Sequence, residues 1–280
     1  MSCSKKLLTY LAVTFSFLVS NKGTAQTLEQ TFDFAQQMKS EGNYETAIKY
    51  YQRVSYFGGN YRITDCYIST ADCYFLINDF RQAENFYELA YFSTENDSIK
   101  DLVLLSRSAI FIYEKKYLEA LQELFNTSDD KNILRTKNIY LATAYYGLNR
   151  FSESEDALLK IENDSLVRNN LHKLFSKAIR VQKRNPKTAR ILSMMLPGLG
   201  QFYSGDIRDG INSLLITSAF MYLTLNTAIQ YSLLEATSVL PWFSRYYMGG
   251  FKRAESIAVN RIEEKQYLLF TQIMKLVRDN

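Results

Sequence analysis

A recurring pattern of aromatic, small and large apolar positions runs through the first half of the chain. In each occurrence an aromatic residue is followed three positions later by a small residue and, four positions after that, by a large apolar residue. The aromatic positions lie 36, 37 and 34 residues apart, and a regular period in this range is typical of stacked helical hairpins. The four occurrences are Tyr44-Ala47-Tyr51, Phe80-Ala83-Tyr87, Tyr117-Ala120-Leu124 and Phe151-Ser154-Leu158.

Residues that break helices are scarce, which predicts an all-α fold. The 280 residues include only 3 prolines and 11 glycines, and 47% are hydrophobic, which is ample for a core. No stretch shows the alternation and hairpin dipeptides of β-strands. We therefore expect a helical solenoid followed by a C-terminal helical region.

The recurring pattern resembles tetratricopeptide repeats. In the first occurrence Gly42 and Asn43 make the inter-helix turn, Tyr44 opens the second helix, and Ala47 permits close approach to the first. The resemblance implies about four repeats, from Leu28 to about Ile161. One helical pair cannot bury its apolar face alone, so neighbouring pairs stack and the last one needs a cap. The predicted capping helix carries Leu166, Leu171, Leu174, Phe175, Ala178 and Ile179 at helical spacing.

The chain departs from the tetratricopeptide pattern in three ways. Ser154 stands where alanine is usual, Lys115 and Lys116 replace the turn glycine, and the proline that usually ends a unit is absent.

The resemblance also implies a concave face lined by the first helix of each unit. Family members that clamp a peptide carboxylate use lysine, arginine and asparagine there, and this chain lacks that set, so we do not expect a chaperone-tail receptor. The alternative is that several of these side chains pack against the next repeat and form no groove. The predicted groove residues are Phe32, Gln36, Ile68, Asp72, Phe75, Ala109, Ile112, Tyr113, Thr143 and Tyr146.

The N-terminus has the order of a secretory signal peptide. Lys5 and Lys6 precede an apolar run of about 13 residues, which is short of the roughly 20 that a spanning helix needs. Small residues at Gly23 and Ala25 predict cleavage after Ala25, with an uncleaved anchor as the alternative. Either way we expect Gln26 onward to be exported.

A charge-free run from Ile211 to Leu234 predicts a membrane-spanning helix. The alternative is a buried core helix, which the polar residues Asn212, Asn226 and Gln230 favour. Amides of this kind also bond to neighbouring helices within membranes.

A glycine-rich motif precedes this run and resembles the Pro-Gly-x-Gly-Gln-x-Tyr-x-Gly signature of small bacterial membrane hairpins. Glycine permits positive φ or close backbone approach and proline interrupts a helix, so we expect a broken helix here. A phosphate-binding loop is excluded because no Gly-Lys-Ser/Thr follows. The motif residues are Pro197, Gly198, Gly200, Gln201, Tyr203, Gly205 and Gly210.

The rest of the second half predicts further membrane or surface contact. Residues 240–251 are crowded with aromatics that favour an interface, as a re-entrant piece or the start of a second span. Residues 253–278 have the pattern of an amphipathic helix on the bilayer or on the repeats. The predicted domains are a signal peptide (1–25), the repeats with their cap (26–182), a membrane-associated helical hairpin (183–252) and the C-terminal helix (253–280).

Charge and chemistry exclude several classes of function. The net charge of +4 lacks the broad basic face of a nucleic-acid binder. The one basic cluster abuts the apolar region and is typical of a lipid-headgroup contact. By the positive-inside rule it would lie in the cytoplasm, but we give the signal peptide precedence. The cluster comprises Lys183, Arg184, Lys187 and Arg190.

No catalytic or metal-binding motif is present in the sequence. There is no CxxC, His172 is the only histidine, and paired acids such as Glu263-Glu264 suit solvated faces, so we expect no enzyme, metal or cofactor. Cys66 and Cys73 lie seven apart on one predicted helix, beyond disulfide reach, and should be buried thiols. Two Asp-Ser-aliphatic motifs resemble bacterial O-glycosylation acceptors, at Asp97-Ser98-Ile99 and Asp164-Ser165-Leu166.

These observations favour an exported tetratricopeptide scaffold that is anchored in the bacterial inner membrane, with its repeats in the periplasm. Its expected partners are proteins and the lipid bilayer, not nucleic acid. The oligomeric state stays open. An alternative function is a membrane-active accessory component that assists protein insertion or transport. An enzyme with a site in the membrane half is a third possibility.

Overall fold

A computed structural model describes residues 26–279 of the chain, and the predicted signal peptide lies outside them. The described residues form α-helices joined by short turns and contain no strand, which confirms the all-α prediction. The helices are α1 (Leu28–Ser40), α2 (Tyr44–Phe57), α3 (Ile63–Leu76), α4 (Phe80–Phe92), α5 (Asp97–Tyr113), α6 (Tyr117–Phe125), α7 (Lys131–Gly147), α8 (Phe151–Leu159), α9 (Ser165–Gln182), α10 (Pro186–Met195), α11 (Leu199–Tyr203), α12 (Ile207–Gln230) and α13 (Leu233–Arg278).

The recurring three-residue pattern coincides with the start of every second helix in the first four helical pairs. The aromatic positions Tyr44, Phe80, Tyr117 and Phe151 are the first residues of α2, α4, α6 and α8. The small residues that follow are all buried, because a methyl or hydroxymethyl group lets two helices approach closely. The large apolar residues one turn later are buried as well, so the pattern marks the core face of each second helix: Ala47, Ala83, Ala120 and Ser154, then Tyr51, Tyr87, Leu124 and Leu158.

The turns within these pairs also repeat a backbone conformation. One residue of positive φ lies two positions before each second helix: Gly42, Asn78, Lys115 and Asn149. Glycine and asparagine adopt this left-handed conformation at low cost. Lys115 adopts it at φ 60°, so the turn that lacks the expected glycine keeps the glycine's geometry.

The described chain divides into two compact units. One holds the residues up to Glu114 together with Gln122–Ser128, and the other holds Lys115–Leu121 together with the residues from Asp129 on. In the first unit, α1 to α5 pack in sequence. In the second, the fourth helical pair, the cap and the C-terminal helices share one compact body.

The predicted capping helix is α9, which packs against α8 and α13. Leu171, Phe175 and Ala178 are fully buried, as their spacing predicted. Leu166 is exposed, and Val167 is buried in its place. Asp164 caps the helix through the amide of Leu166. Leu166 therefore lies in the first turn, on the side away from the core.

The charge-free run does not form one helix, so the predicted span over 211–234 is wrong in its bounds. It divides at Tyr231 and Ser232, and the Ser232 hydroxyl accepts a hydrogen bond from the amide of Glu235 to start α13. The helix α13 then continues for 46 residues, with Pro241 inside it. Within residues 26–279, no helix combines the length and apolar character that crossing a bilayer requires.

Residues 240–251 and 253–278, predicted as separate segments, belong to this one helix. Its first part pairs with α12 as an antiparallel hairpin, and its later part packs on α9 and α10. The C-terminal segment thus packs on the capping helix.

Candidate functional site

Three aromatic rings form a partly exposed cluster in the first unit. Phe75 and Phe80 have ring centroids 5.7 Å apart, and Tyr113 lies 4.8 Å from Phe80 and 6.5 Å from Phe75. Tyr113 is 63% exposed, whereas the two phenylalanines are half-buried. Two other predicted groove residues differ in exposure: Ile112, which precedes Tyr113 in the chain, is half-buried, and Gln36 is exposed. We call Phe75, Phe80 and Tyr113 the aromatic cluster.

Other predicted groove residues of this unit serve the core. Phe32 is buried, with its ring 5.5 Å from that of Tyr51 in an edge-to-face contact, so it lines no open surface. Ile68 packs against the core between α3 and α4. Asp72 accepts hydrogen bonds from Lys39 at 2.6 Å and from the hydroxyl of Tyr87 at 2.5 Å, so its charge is satisfied within the protein.

In the second unit, Tyr146 is covered by the C-terminal helix. Its ring lies 4.8 Å from that of Phe270, and its hydroxyl donates to the carbonyl and side-chain oxygens of Gln266 at 3.0 and 2.7 Å. Gln266 in turn donates to the carbonyl of Ala178 at 2.9 Å. Burial raises the pKa of Tyr146 above its ordinary value. Tyr146 thus joins α7 to α13 and faces no open groove, while Thr143 is half-buried at the edge of a neighbouring cavity.

The glycine-rich motif forms the junction of α10, α11 and α12. Gly198 has φ 90°, and a Cβ there would lie 2.3 Å from the carbonyl oxygen of Gly210. A Cβ on Gly200 would lie 1.9 Å from the carbonyl oxygen of Ala189, and one on Gly210 would meet the ring of Phe202 at 2.6 Å. The glycines are therefore required by close packing between helices. The predicted break in the helix is present, between α10 and α12.

The remaining motif residues divide between interior and surface. Gln201 is fully buried: its side chain accepts from the Ser193 hydroxyl at 2.8 Å and donates to the carbonyl of Gly250 at 2.9 Å. The Ser193 hydroxyl also accepts from the amide of Gly200 at 2.9 Å. Tyr203 is exposed, and Gly205 turns the chain at φ 86°. A single glutamine side chain thus joins α11 to both α10 and α13.

Beyond this junction, the hairpin of α12 and the first part of α13 exposes an extensive apolar surface. Monomeric soluble proteins rarely expose contiguous apolar patches of more than a few hundred Å². We call this set the hairpin surface: Ile207, Ile211, Leu215, Met221, Tyr222, Leu225, Ile229, Leu233, Leu234, Leu240 and Trp242.

Between the two helices of the hairpin lies a cleft of about 490 Å³ with polar groups. Asn212 and Thr217 line it from α12, and Arg245 lines it from α13. Arg253 pairs with Asp209 at one end. The hydroxyl of Ser213 is buried there without a hydrogen-bond partner. Polar side chains therefore line the cleft, whereas the side chains of the hairpin surface are apolar.

Residues 26–279 contain no group of three or more His, Cys, Asp or Glu side chains suited to holding a metal ion. Cys66 and Cys73 are buried free thiols, as predicted, and burial raises the pKa of each to about 11. Both predicted glycosylation serines, Ser98 and Ser165, are exposed at helix starts. Comparison with models of known families, with characterised proteins and with solved structures finds no significant match.

Sequence reasoning missed the partners that fix these residues. Gln201 bonds to a carbonyl 49 positions away, and Tyr146 bonds to a residue 120 positions away. No local pattern connects such positions, because only the packing of α13 brings them together.

Proposed function

We propose that this protein is an exported, membrane-anchored scaffold of the bacterial envelope that gathers partner proteins. In this proposal the helical pairs are tetratricopeptide-like repeats that lie in the periplasm. The α12–α13 hairpin holds them at the inner membrane. The observation that carries the proposal is the hairpin surface, a set of exposed apolar side chains along both helices of the hairpin, next to a tightly packed junction.

The arrangement of the hairpin supports a bilayer as its environment. Burying a large apolar side chain contributes about 1.5 to 3 kcal/mol, so the eleven partly exposed residues of the hairpin surface would together contribute roughly 10 to 20 kcal/mol. The polar residues Asn212 and Thr217 line the cleft between the helices, and Thr217 is buried there. Trp242 and Tyr246 of α13 stack on Phe220 of α12, and tryptophan and tyrosine favour the membrane interface.

The aromatic cluster supports a protein-binding role for the repeats. Aromatic residues that combine exposure with a rigid setting are frequent anchors at protein interfaces. Tyr113 is held by two neighbouring rings and still exposes most of its surface.

The single tryptophan, Trp242, lies on the hairpin surface and offers a direct test. Adding phospholipid vesicles to the full chain should shift its emission to shorter wavelength, and lipids brominated on their tails should quench it. Carbonate washing of native membranes should leave the protein in the pellet. An unchanged spectrum together with release by carbonate would overturn membrane anchoring.

A matched pair of variants separates the hairpin from general surface hydrophobicity. Ile229, Leu233 and Leu234 are exposed in the hairpin, whereas Leu89, Leu102 and Leu118 are exposed in the repeats. Replacing the first three with glutamine should release the protein from membranes, and replacing the second three should not. Equal behaviour of the two triple variants would contradict the role given to the hairpin.

The polar cleft favours a second candidate, a membrane-active component that assists protein insertion or transport. Arg245 and the unpartnered hydroxyl of Ser213 line this cleft, and polar groups at membrane depth commonly mark a functional path. Replacing Arg245 with glutamine should leave anchoring intact. A defect in envelope protein insertion in that variant, with partner capture unchanged, would favour this candidate over the scaffold.

A further inference from the structure

A groove rich in basic side chains runs between α9 and α13 in the second unit. Two adjoining concavities of about 400 and 370 Å³ share Lys177 and Gln272 and form one continuous feature. We call it the basic groove. The cations that line it are Lys173, Lys177, Arg180, Arg184, Lys265 and Lys275.

The charges of the basic groove are not neutralised by the protein. In the part of the chain that the structure describes, none of these six side chains forms an ion pair. One carboxylate, that of Asp279, lies at the end of the groove, next to Arg278. Six uncompensated charges in a concave surface create a strong positive potential, which attracts an anionic ligand.

The spacing of the cations fits a helical partner. Those on α9, Lys173, Lys177 and Arg180, follow one another at intervals of four and three residues, so they lie on one face over about two turns, or roughly 10 Å, and Arg184 follows just beyond the end of the helix. Between the two basic rims, Leu174, Val181 and Leu269 provide an apolar floor. An amphipathic helix binds such a groove with its apolar face on the floor and its charges on the rims.

We propose that the basic groove binds an acidic amphipathic helix of a partner protein. The proposal rests on the scaffold role above and assigns it a second recognition surface with a defined partner chemistry. The chain's own first 25 residues do not suit the groove, because they contain Lys5, Lys6 and Lys22 and no acidic residue.

A lipid bilayer suits the basic groove less well than a helix. A bilayer is flat on this scale and leaves concavities with apolar floors unfilled. The distance between the hairpin cleft and the basic groove along α13 also favours a helix over a bilayer. Lys265 and Lys275 lie 12 and 22 residues beyond Arg253, where the hairpin cleft ends, which is about 18 to 33 Å along the helix.

The test uses the full chain in nanodiscs of neutral phosphatidylcholine. The probe is a fluorescent amphipathic peptide of about 15 residues with leucine on one face and glutamate on the other, and its binding is followed by anisotropy. The same peptide with glutamine in place of glutamate should bind at least tenfold more weakly. Equal binding of the two peptides would overturn the proposal.

Matched variants locate the binding. Lys177→Glu with Arg180→Glu should weaken peptide binding at least tenfold. Lys183→Glu with Lys187→Glu makes the same change of net charge at exposed positions outside the groove and should change binding less than threefold. Equal losses in both double variants would show attraction by net charge alone and overturn the proposal.

Two further measurements separate the alternatives. Binding of anionic phosphatidylglycerol vesicles that is lost in the groove variant, without peptide binding, would assign the groove to lipid instead. Self-association of the wild type that is lost in the groove variant, without peptide binding, would assign it to a second copy. Phe75→Ala with Tyr113→Ala should leave peptide binding unchanged. A loss of partner capture caused by the aromatic cluster can therefore be distinguished from a loss of peptide binding at the basic groove.

Discussion

Replacing Gly200 with alanine should destabilise the protein, although alanine is the better helix former. The added Cβ would lie 1.9 Å from the carbonyl oxygen of Ala189 and 2.5 Å from the hydroxyl of Ser193, whereas ordinary contacts begin at about 3.4 Å. The helices α10 and α11 must therefore separate by more than 1 Å. Their separation also strains the hydrogen bond from the Gly200 amide to Ser193.

The size of the stability loss follows from two unfavourable effects and one favourable effect. Because the overlap is severe, overpacking costs about 2 to 3 kcal/mol, and loss of the buried hydrogen bond costs about 1 kcal/mol. Alanine's helix propensity offsets about 1 kcal/mol. The net loss is about 2 to 3 kcal/mol, which lowers the melting temperature by about 5 to 10 °C for a chain of this size.

Gly249→Ala is the matched control, because it adds the same methyl group inside α13 where no atom lies within 4 Å. It should raise the melting temperature by about 2 to 4 °C through helix propensity alone. Both variants can be followed in detergent by the fluorescence of Trp242, the only tryptophan. A Gly200 variant as stable as the wild type would refute the close packing of α10 on α11.

The remaining predictions concern the repeats. Lys115→Asn should stabilise the protein against urea by up to about 1 kcal/mol, because asparagine tolerates the positive φ of this turn better than lysine; a loss of stability would contradict this. Phe75→Ala with Tyr113→Ala should reduce recovery of partner proteins in affinity capture while abundance stays unchanged; a drop in abundance would show that the rings belong to the core. Cys66 and Cys73 should resist iodoacetamide at pH 8 until the protein is unfolded, because the thiolate is the reactive form and burial raises the pKa of each thiol to about 11. Stability should also fall as pH rises from about 8.5 through 11, because the unfolded chain releases the thiol protons at lower pH than the folded chain does. Fast iodoacetamide labelling of the native protein, or a stability that does not change over this pH range, would contradict these two predictions.

The sequence was most informative where structure depends on local spacing. The start of each second helix and its buried face follow from positions three and seven residues apart, which any helix places on one side. The buried thiols of Cys66 and Cys73 follow in the same way. The glycine motif predicted an interrupted helix, because a proline next to a left-handed glycine commonly ends a helix.

Predictions failed where the environment of a residue depends on distant elements. Phe32 and Tyr146 were assigned to a concave surface, but one is buried against α2 and the other beneath α13. The charge-free run was taken as one span, but a serine cap at Ser232 starts a new helix within it.

The sequence by itself therefore determined the helical class, the period of the repeats and the faces of individual helices, because these depend on contacts within a few residues. Only the tertiary structure decided which of those faces are covered and which stay open. The basic groove shows the reason: Lys177 and Lys265 are 88 positions apart, and their charges share one groove only because α13 packs against α9.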